Sequence, residues 1–318
     1  MAKNLKYIAL WLLVTLLASA CSKDGADGNE VTNRNEAKKE IGIKPDVWKM
    51  AEATRATTYD NTALQSDGFT VYAYTAESIT PYIDNKTVSY DAPNWIITGR
   101  PYYWPAYNLD FFAYAPATLP SYITAGPAYT SAHNVTFTCS SLPVTNAGQG
   151  SSLKEFMFGM ALGQNGENAG SGVPLQFQHP FARIKLQLAA SHPNVTINSI
   201  TFRSIKNNGN YNHSATPKWS TTDVATNFVL SLTGEAAVFD NNSTAKQIGD
   251  DYIMIPQDWD GVIVVNADCL YWGEKKNYPS LTTTVPTDWQ PGYSYTYTFS
   301  ISPDDLKVGT TSQFTEQW

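Results

Sequence analysis

Tyr293-Ser294-Tyr295-Thr296-Tyr297-Thr298-Phe299-Ser300-Ile301 alternates without a break: large apolar side chains at every odd position, hydroxyls at every even one. Successive side chains of an extended strand point to opposite faces, so this stretch reads as a half-buried antiparallel strand. Working back from it, Ile184, Leu186 and Leu188 share a face opposite Arg183, Lys185 and Gln187. Phe69-Thr70-Val71-Tyr72-Ala73-Tyr74 repeats with the same period. Residues 109–114, 134–139, 173–178, 196–203, 252–255 and 262–267 read as further strands, with turn formers clustered at 146–152, 163–172, 207–210 and 240–244. Aromatics make up 13% of the chain and charged residues only 15%, a balance that suits pleated, half-buried surfaces. Past the first twenty residues no long stretch keeps a 3.6-residue apolar period. The expected fold class is all-β.

The N-terminus has a different character. Lys3 and Lys6 precede an apolar run from Ile8 to Ala20, and Ala18-Ser19-Ala20 leads into Cys21. This is the layout of a secretory signal peptide, too short to span a bilayer, which takes ~20 apolar residues. A cysteine at that place resembles a bacterial lipobox, so residues 1–20 are expected to be removed and Cys21 acylated, holding the chain on a membrane by its lipid. An ordinary signal peptide followed by an incidental cysteine is the alternative. Residues 21–55 begin as a charged tether poor in aromatics; Ile41, Ile43, Val47 and Trp48 then suggest a strand or short helix added to the first domain. No later segment is apolar enough to cross a membrane, so the rest is expected to be soluble and outside the cytoplasm.

Residues 56–318 exceed the ~100 residues of one ordinary sandwich. Two sandwiches in series are expected, at 56–172 and 173–318. The division is placed by the glycine-rich run Gly163–Gly172, with His179-Pro180 extending the range of the break to about 182. Net charge of -7 and a pI near 5.1 exclude a nucleic-acid partner, which calls for a basic face. Cys139 and Cys269 lie far apart and read as buried free thiols rather than as a disulfide. None of His133, His179, His192 and His213 pairs at ligand spacing, and no CxxC, Gly-x-Ser-x-Gly or phosphate-loop motif occurs. His179 reads as a turn or packing residue, and Asp250-Asp251 and Asp304-Asp305 as turns. No enzyme activity, metal or cofactor is expected.

The chain resembles the fimbrillin-like family, the type V pilus subunits of anaerobic Gram-negative bacteria. The residues that carry the likeness run through most of the mature chain. They are Thr54-Arg55-Ala56 ahead of Asp67-Gly68-Phe69; Tyr103-Trp104-Pro105 followed by Leu109-Asp110-Phe111-Phe112-Ala113-Tyr114-Ala115-Pro116; and Leu175-Gln176-Phe177-Gln178-His179 with Ala182-Arg183-Ile184. Met254-Ile255-Pro256-Gln257 and Trp289-Gln290-Pro291-Gly292-Tyr293 complete the set. The resemblance implies two transthyretin-like β-sandwiches and a subunit delivered as a lipoprotein to the outer membrane, and so to the cell surface or a fimbrium. It implies a trypsin-like protease that cuts after an Arg, here between Arg55 and Ala56, with Arg34 and Lys49 as weaker candidates. Loss of the first strand then opens a groove that a terminal strand of the next subunit fills. The implied donor is the tail, 304–318, with Leu306, Val308, Phe314 and Trp318 in successive pockets, unless the tail is the molecule's own last strand. An exposed Arg in an ordinary loop is the alternative at Arg55. The implied partners are other pilus subunits, the processing protease and a host or glycan ligand. The aromatic cluster Trp95, Tyr102, Tyr103, Trp104 and Tyr107 supports a second function, a surface lipoprotein that captures glycans without polymerising, or else it is sandwich core.

Overall fold

The computed structural model describes residues 38–47, 60–75, 78, 80–99, 101–130, 133–149, 153–189, 194–222, 224–240, 244–302 and 305–313. The fold is nearly all β. A seven-stranded sheet holds β1 (Ile43–Val47), β2 (Phe69–Thr75), β3 (Pro81–Asp91), β4 (Asn94–Ile97), β5 (Leu109–Ala115), β8 (Met157–Gln164) and β9 (Val173–Gln178), in the order β1-β9-β8-β5-β2-β3-β4. A short helix, α1 (Asn61–Asp67), packs against β1 and β3, and a second, α2 (Asn146–Gln149), packs against residues 225–231 and 252–254. A four-stranded sheet combines β6 (Ile123–Thr130) and β7 (Asn134–Cys139) with β12 (Gly209–Asn212) and β13 (Trp219–Thr221).

Leu109–Ala115 is buried at every position because the seven-stranded sheet is covered on both faces. Phe111, Ala113 and Ala115 join Phe69, Val71 and Phe177 in one core. Phe112 and Tyr114 turn the other way, toward Phe137, Phe156, Tyr211 and Trp219 of the core shared with the four-stranded sheet. Alternation is therefore invisible in this strand's sequence, although each face obeys it.

The remaining strands form a sandwich. One sheet holds β10 (Ala182–Leu188), β16 (Lys246–Gln247), β17 (Tyr252–Met254), β22 (Ser294–Ser302) and β23 (Asp305–Gln313). The other holds β11 (Asn194–Lys206), β14 (Ala225–Ser231), β15 (Val238–Phe239), β19 (Val262–Tyr271) and β20 (Glu274–Thr284), with the pair β18 (Asp258–Trp259) and β21 (Thr287–Asp288) beside them. Tyr295, Tyr297, Phe299 and Ile301 of the alternating strand pack with Ile184, Leu186 and Leu188 against Ile197, Phe202, Ile263 and Val265.

The glycine-rich run is the connection between β8 and β9, which pair with each other, so a break at 172/173 runs through the seven-stranded sheet. Asn165 Oδ1 accepts from the Glu167 and Asn168 amides there, and Gly163 and Gly172 take positive φ, which is turn chemistry rather than a linker. The chain changes sheets at His179-Pro180. The hairpin β12–β13 then returns from the later sandwich to pair with β7, and the Trp219 indole donates to the Pro180 carbonyl at 2.6 Å. Cys139 and Cys269 are both buried and free.

Where the sheets meet, a polar cluster is enclosed. Glu155 and His179 lie 3.1 Å apart with side chains 2% and 1% exposed. Arg183 faces Asp251 at 3.8 Å, and Gln149 bonds both ways to the Ile253 backbone. Burial pushes the Asp251 carboxyl up to about 6, with the Arg183 guanidinium acting in the opposite direction. A carboxyl raised in the fold stabilises it below its unfolded pKa, near 4, and that contribution is lost as pH rises through about 6. Wild type should therefore gain stability relative to Asp251→Asn as pH falls from 7 to 4.5, by about 2 kcal/mol. Denaturant unfolding of both proteins at the two pH values checks it; a constant difference refutes it.

Candidate strand-exchange edges

The segment before the Arg55 position is built into the fold as its outermost strand. β1 pairs in parallel with β9, Ile43 opposite Val173 through Val47 opposite Phe177. Ahead of it the Ile41 amide donates to the Tyr102 carbonyl at 2.7 Å and the Trp104 amide to the Lys39 carbonyl at 2.9 Å. Lys39 Nζ reaches the Gly166 carbonyl. Ile41, Ile43 and Val47 are 3%, 7% and 2% exposed and belong to the core of the seven-stranded sheet. Lys44 and Asp46 between them face solvent.

Three local features seat this strand. Gly172, at φ +113, lets the backbone of Ile43 approach; a Cβ there would stand 3.2 Å from the Ile43 carbonyl carbon. Asp60 caps α1 by accepting from the Thr62 and Ala63 amides. Asn61, the first residue of α1, then accepts from the Val47 amide and donates to Asp46, both at 2.9 Å, closing off the end of β1. The sequence suggested a strand or helix here but not its parallel pairing. The Gly172 and Asp60-Asn61 positions are the signals that mark it.

Just ahead of β1 lies a groove of about 700 Å³ lined by Glu40–Gly42, Trp95–Gly99 and Pro101–Tyr102. The aromatic cluster near it is mostly packing. Tyr102 is buried, while Trp95 and Trp104 are partly buried against the core, with Trp95 5.2 Å from Phe69. Tyr103 and Tyr107 are the exposed members, at 37% and 50%.

The tail forms the opposite edge. β23 pairs antiparallel with β22, Leu306 opposite Ile301 and Val308 opposite Phe299, and it ends the sheet order β16-β10-β22-β23. As far as Gln313 the tail is thus the chain's own last strand in this state. Phe314 and Trp318 lie outside the described residues, as do Cys21, Arg55 and Ala56. Among the described residues no cluster of His, Cys, Asp or Glu could hold a metal, and no helix is long and apolar enough to cross a membrane.

The family model for fimbrillin-like proteins matches residues 54–318. The chain belongs to the fimbrillin-like family. Membership supports a fimbrial-subunit or adhesin-like role at the cell surface, in contact with other pilus subunits. No curated protein matches the sequence. Among solved structures, a fimbrial protein from Bacteroides vulgatus superposes with a TM-score of 0.63 at 14% identity, covering 88% of this chain and 100% of that one. A protein assigned to cell adhesion from Bacteroides ovatus gives 0.53 at 16% identity, covering 86% and 96%. At such identities the likeness is one of fold.

Proposed function

We propose that this fimbrillin-like chain is a fimbrial subunit, exported as a lipoprotein acylated at Cys21 and assembled by strand exchange after cleavage between Arg55 and Ala56. The observation that carries the reading is the place of β1. It is an edge strand with three buried apolar residues on its segment, and it lies wholly on the N-terminal side of Arg55. A cut there severs β1 from the body while leaving every other strand intact. The edge of β9 and the pockets of Ile41, Ile43 and Val47 are then open to a strand from a neighbouring subunit, which restores main-chain bonds and buried side chains together. The donor is the tail, 304–318, released from β22.

Incubating the lipid-free full chain with a trypsin-like protease tests this. The expected product begins at Ala56 and grows into SDS-resistant ladders, and Arg55→Ala stays uncut and monomeric. Cleavage without ladders, or ladders from Arg55→Ala, would overturn it. Mass spectrometry of the surface protein distinguishes an acylated Cys21 from a free Ala56 terminus. The glycan-capture reading built on Trp95, Tyr102, Tyr103, Trp104 and Tyr107 loses support, because Trp95, Tyr102 and Trp104 are committed to packing and only Tyr103 and Tyr107 are exposed.

A further inference from the structure

Two stretches that the sequence singled out, Met254-Ile255-Pro256-Gln257 and Trp289-Gln290-Pro291-Gly292-Tyr293, take no part in the β1 edge. They meet at one joint, where the Trp289 amide donates to the Gln257 carbonyl at 2.9 Å. Gln257 is buried, and its side chain accepts from the Lys206 amide at 2.8 Å and donates to the Lys206 carbonyl at 2.9 Å. A cleft of about 300 Å³ opens at this joint, with Lys206, Pro217, Lys218, Pro256 and Pro291 on its walls beside the buried Trp219 and Trp289. Asp258 and Asp288, opposite one another in the β18–β21 pair, line it as well and are exposed. Among the described residues neither Lys206 nor Lys218 forms an ion pair. Lys218 is half-buried, and burial alone pulls its ammonium below the usual range. A carboxylate close enough to pair would act in the opposite direction, so the acids of the cleft leave Lys218 without a counter-charge.

The tail leaves its strand beside this cleft. β23 ends at Gln313, opposite Ser294. Next to Ser294 the Tyr293 amide donates to the Gln290 carbonyl, a turn that keeps Gln290 within ~7 Å of Tyr293. Gln290 and Pro291 both line the cleft. Residues 314–318 can extend about 17 Å, enough to pass this turn and enter. The face is set by register. Tyr295 and Tyr297 stand opposite Ser312 and Thr310 and turn to the core. The Tyr295 hydroxyl donates to the Asp288 carbonyl at 2.9 Å and accepts from the Gln290 amide at 2.7 Å, and the Tyr297 hydroxyl accepts from the Trp289 indole at 2.9 Å. The 288–290 wall of the cleft therefore lies on the core face of β22. Antiparallel partners share a face, so the same alternation carried past Gln313 assigns Phe314, Glu316 and Trp318 to that side.

We infer that residues 314–318 dock in this cleft of their own chain, Glu316 meeting Lys218 and the Phe314 and Trp318 rings lying on Pro217, Pro256 and Pro291, so that the tail is latched to its own sheet. The segment brings one carboxylate for the ammonium and two rings for the proline walls. A cleft at the lower end of the ~300–1,000 Å³ of ligand pockets takes a few side chains and not a folded partner. Asp258 and Asp288 would repel a polyanion. The docking stands on the cleft and the register; its purpose, holding the donor until exchange, rests on the proposal that the tail is the donor.

Carbodiimide cross-linking of the uncleaved, lipid-free full chain, in an equal mixture of unlabelled and isotope-labelled copies, tests it. Peptide mass spectrometry should find Glu316 joined to Lys218 within single copies. Glu316→Gln, a change on the tail alone, should remove that link and speed hydrogen exchange of the β23 amides about tenfold while the β19 amides keep their protection. Lys218→Gln should do the same. Absence of the Glu316–Lys218 link, links found only between copies, or β23 exchange that neither variant alters overturns the inference. Ladder growth after cleavage at Arg55 is read separately, and Glu316→Gln should form ladders several-fold faster. The cross-link without any ladders would sink the donor reading and leave the docking intact. Ladders without the cross-link would do the reverse.

Discussion

Gly261→Ala is expected to destabilise the chain by about 3–5 kcal/mol, much of the 5–15 kcal/mol that holds a typical domain together. Gly261 turns the chain from β18 into β19 at φ +80, and a Cβ on it would lie 2.0 Å from the Val285 carbonyl carbon. That contact is with backbone, so no side chain can swing aside. The Val285 amide donates to the Gly261 carbonyl at 2.8 Å, and the β18–β21 pair stands directly on this turn. Moving Val285 away breaks the bond and disturbs Trp259, whose ring stacks on Trp289 at 5.0 Å and whose indole donates to the Arg203 carbonyl. Trp289 in turn donates to the Tyr297 hydroxyl, so the damage reaches the alternating strand at the centre of the sandwich. Gly273→Ala is the control. Its φ is +81 but nothing stands within 4 Å of its added Cβ, so it should cost only about 1–2 kcal/mol of turn strain. Thermal unfolding of the two variants separates clash from conformation. Equal losses would show that φ alone matters at Gly261.

The contrast between strands explains what the sequence disclosed. β22 was legible because one face meets the core and the other does not, so period two survives in the letters. β9 was legible for the same reason, with Val173, Leu175 and Phe177 inward and Pro174, Gln176 and Gln178 outward. β20 was not legible: Glu274-Lys275-Lys276-Asn277 and Pro279 carry no apolar alternation. It extends because β19 offers a free edge and the Trp272-Gly273 turn sets the register. Tertiary context overrides propensity there. The hairpin β12–β13 escaped for another reason. Its four and three residues are too short to show a period, and its partner β7 lies far back in the chain. At the candidate site, apolar Ile41, Ile43 and Val47 were readable as an added element. Which edge they joined was not, since parallel pairing between residues so far apart leaves no local pattern. The tail's short alternation, Leu306 and Val308, looks the same whether its partner strand is in the same chain or another.

That ambiguity sets up the second large effect. If β1 is a removable strand, cutting the full chain at Arg55 and separating the released piece should leave a body that is folded but weakened. Each of Ile41, Ile43 and Val47 contributes about 1.5–3 kcal/mol by its burial, and β9 loses its main-chain partner as well. Together that is about 4.5–9 kcal/mol, and at 2–4 °C per kcal/mol for a chain of this size class the thermal midpoint should fall by about 10–35 °C. A synthetic peptide of residues 39–47 added in trans should reverse part of the fall, because it carries the same register to the same edge. At a hundredfold excess over its Kd it returns about 2.7 kcal/mol. A peptide with Ile43→Asp and Val47→Asp should return nothing, since each carboxylate would enter a core pocket without a partner. A second peptide, residues 304–318, then compares the donor directly. If it raises the midpoint of the cut body but not of the uncut chain, the open edge accepts the tail. An uncut-like midpoint after cleavage would mean that β1 is a covering and not a structural strand, and the exchange mechanism would fail with it.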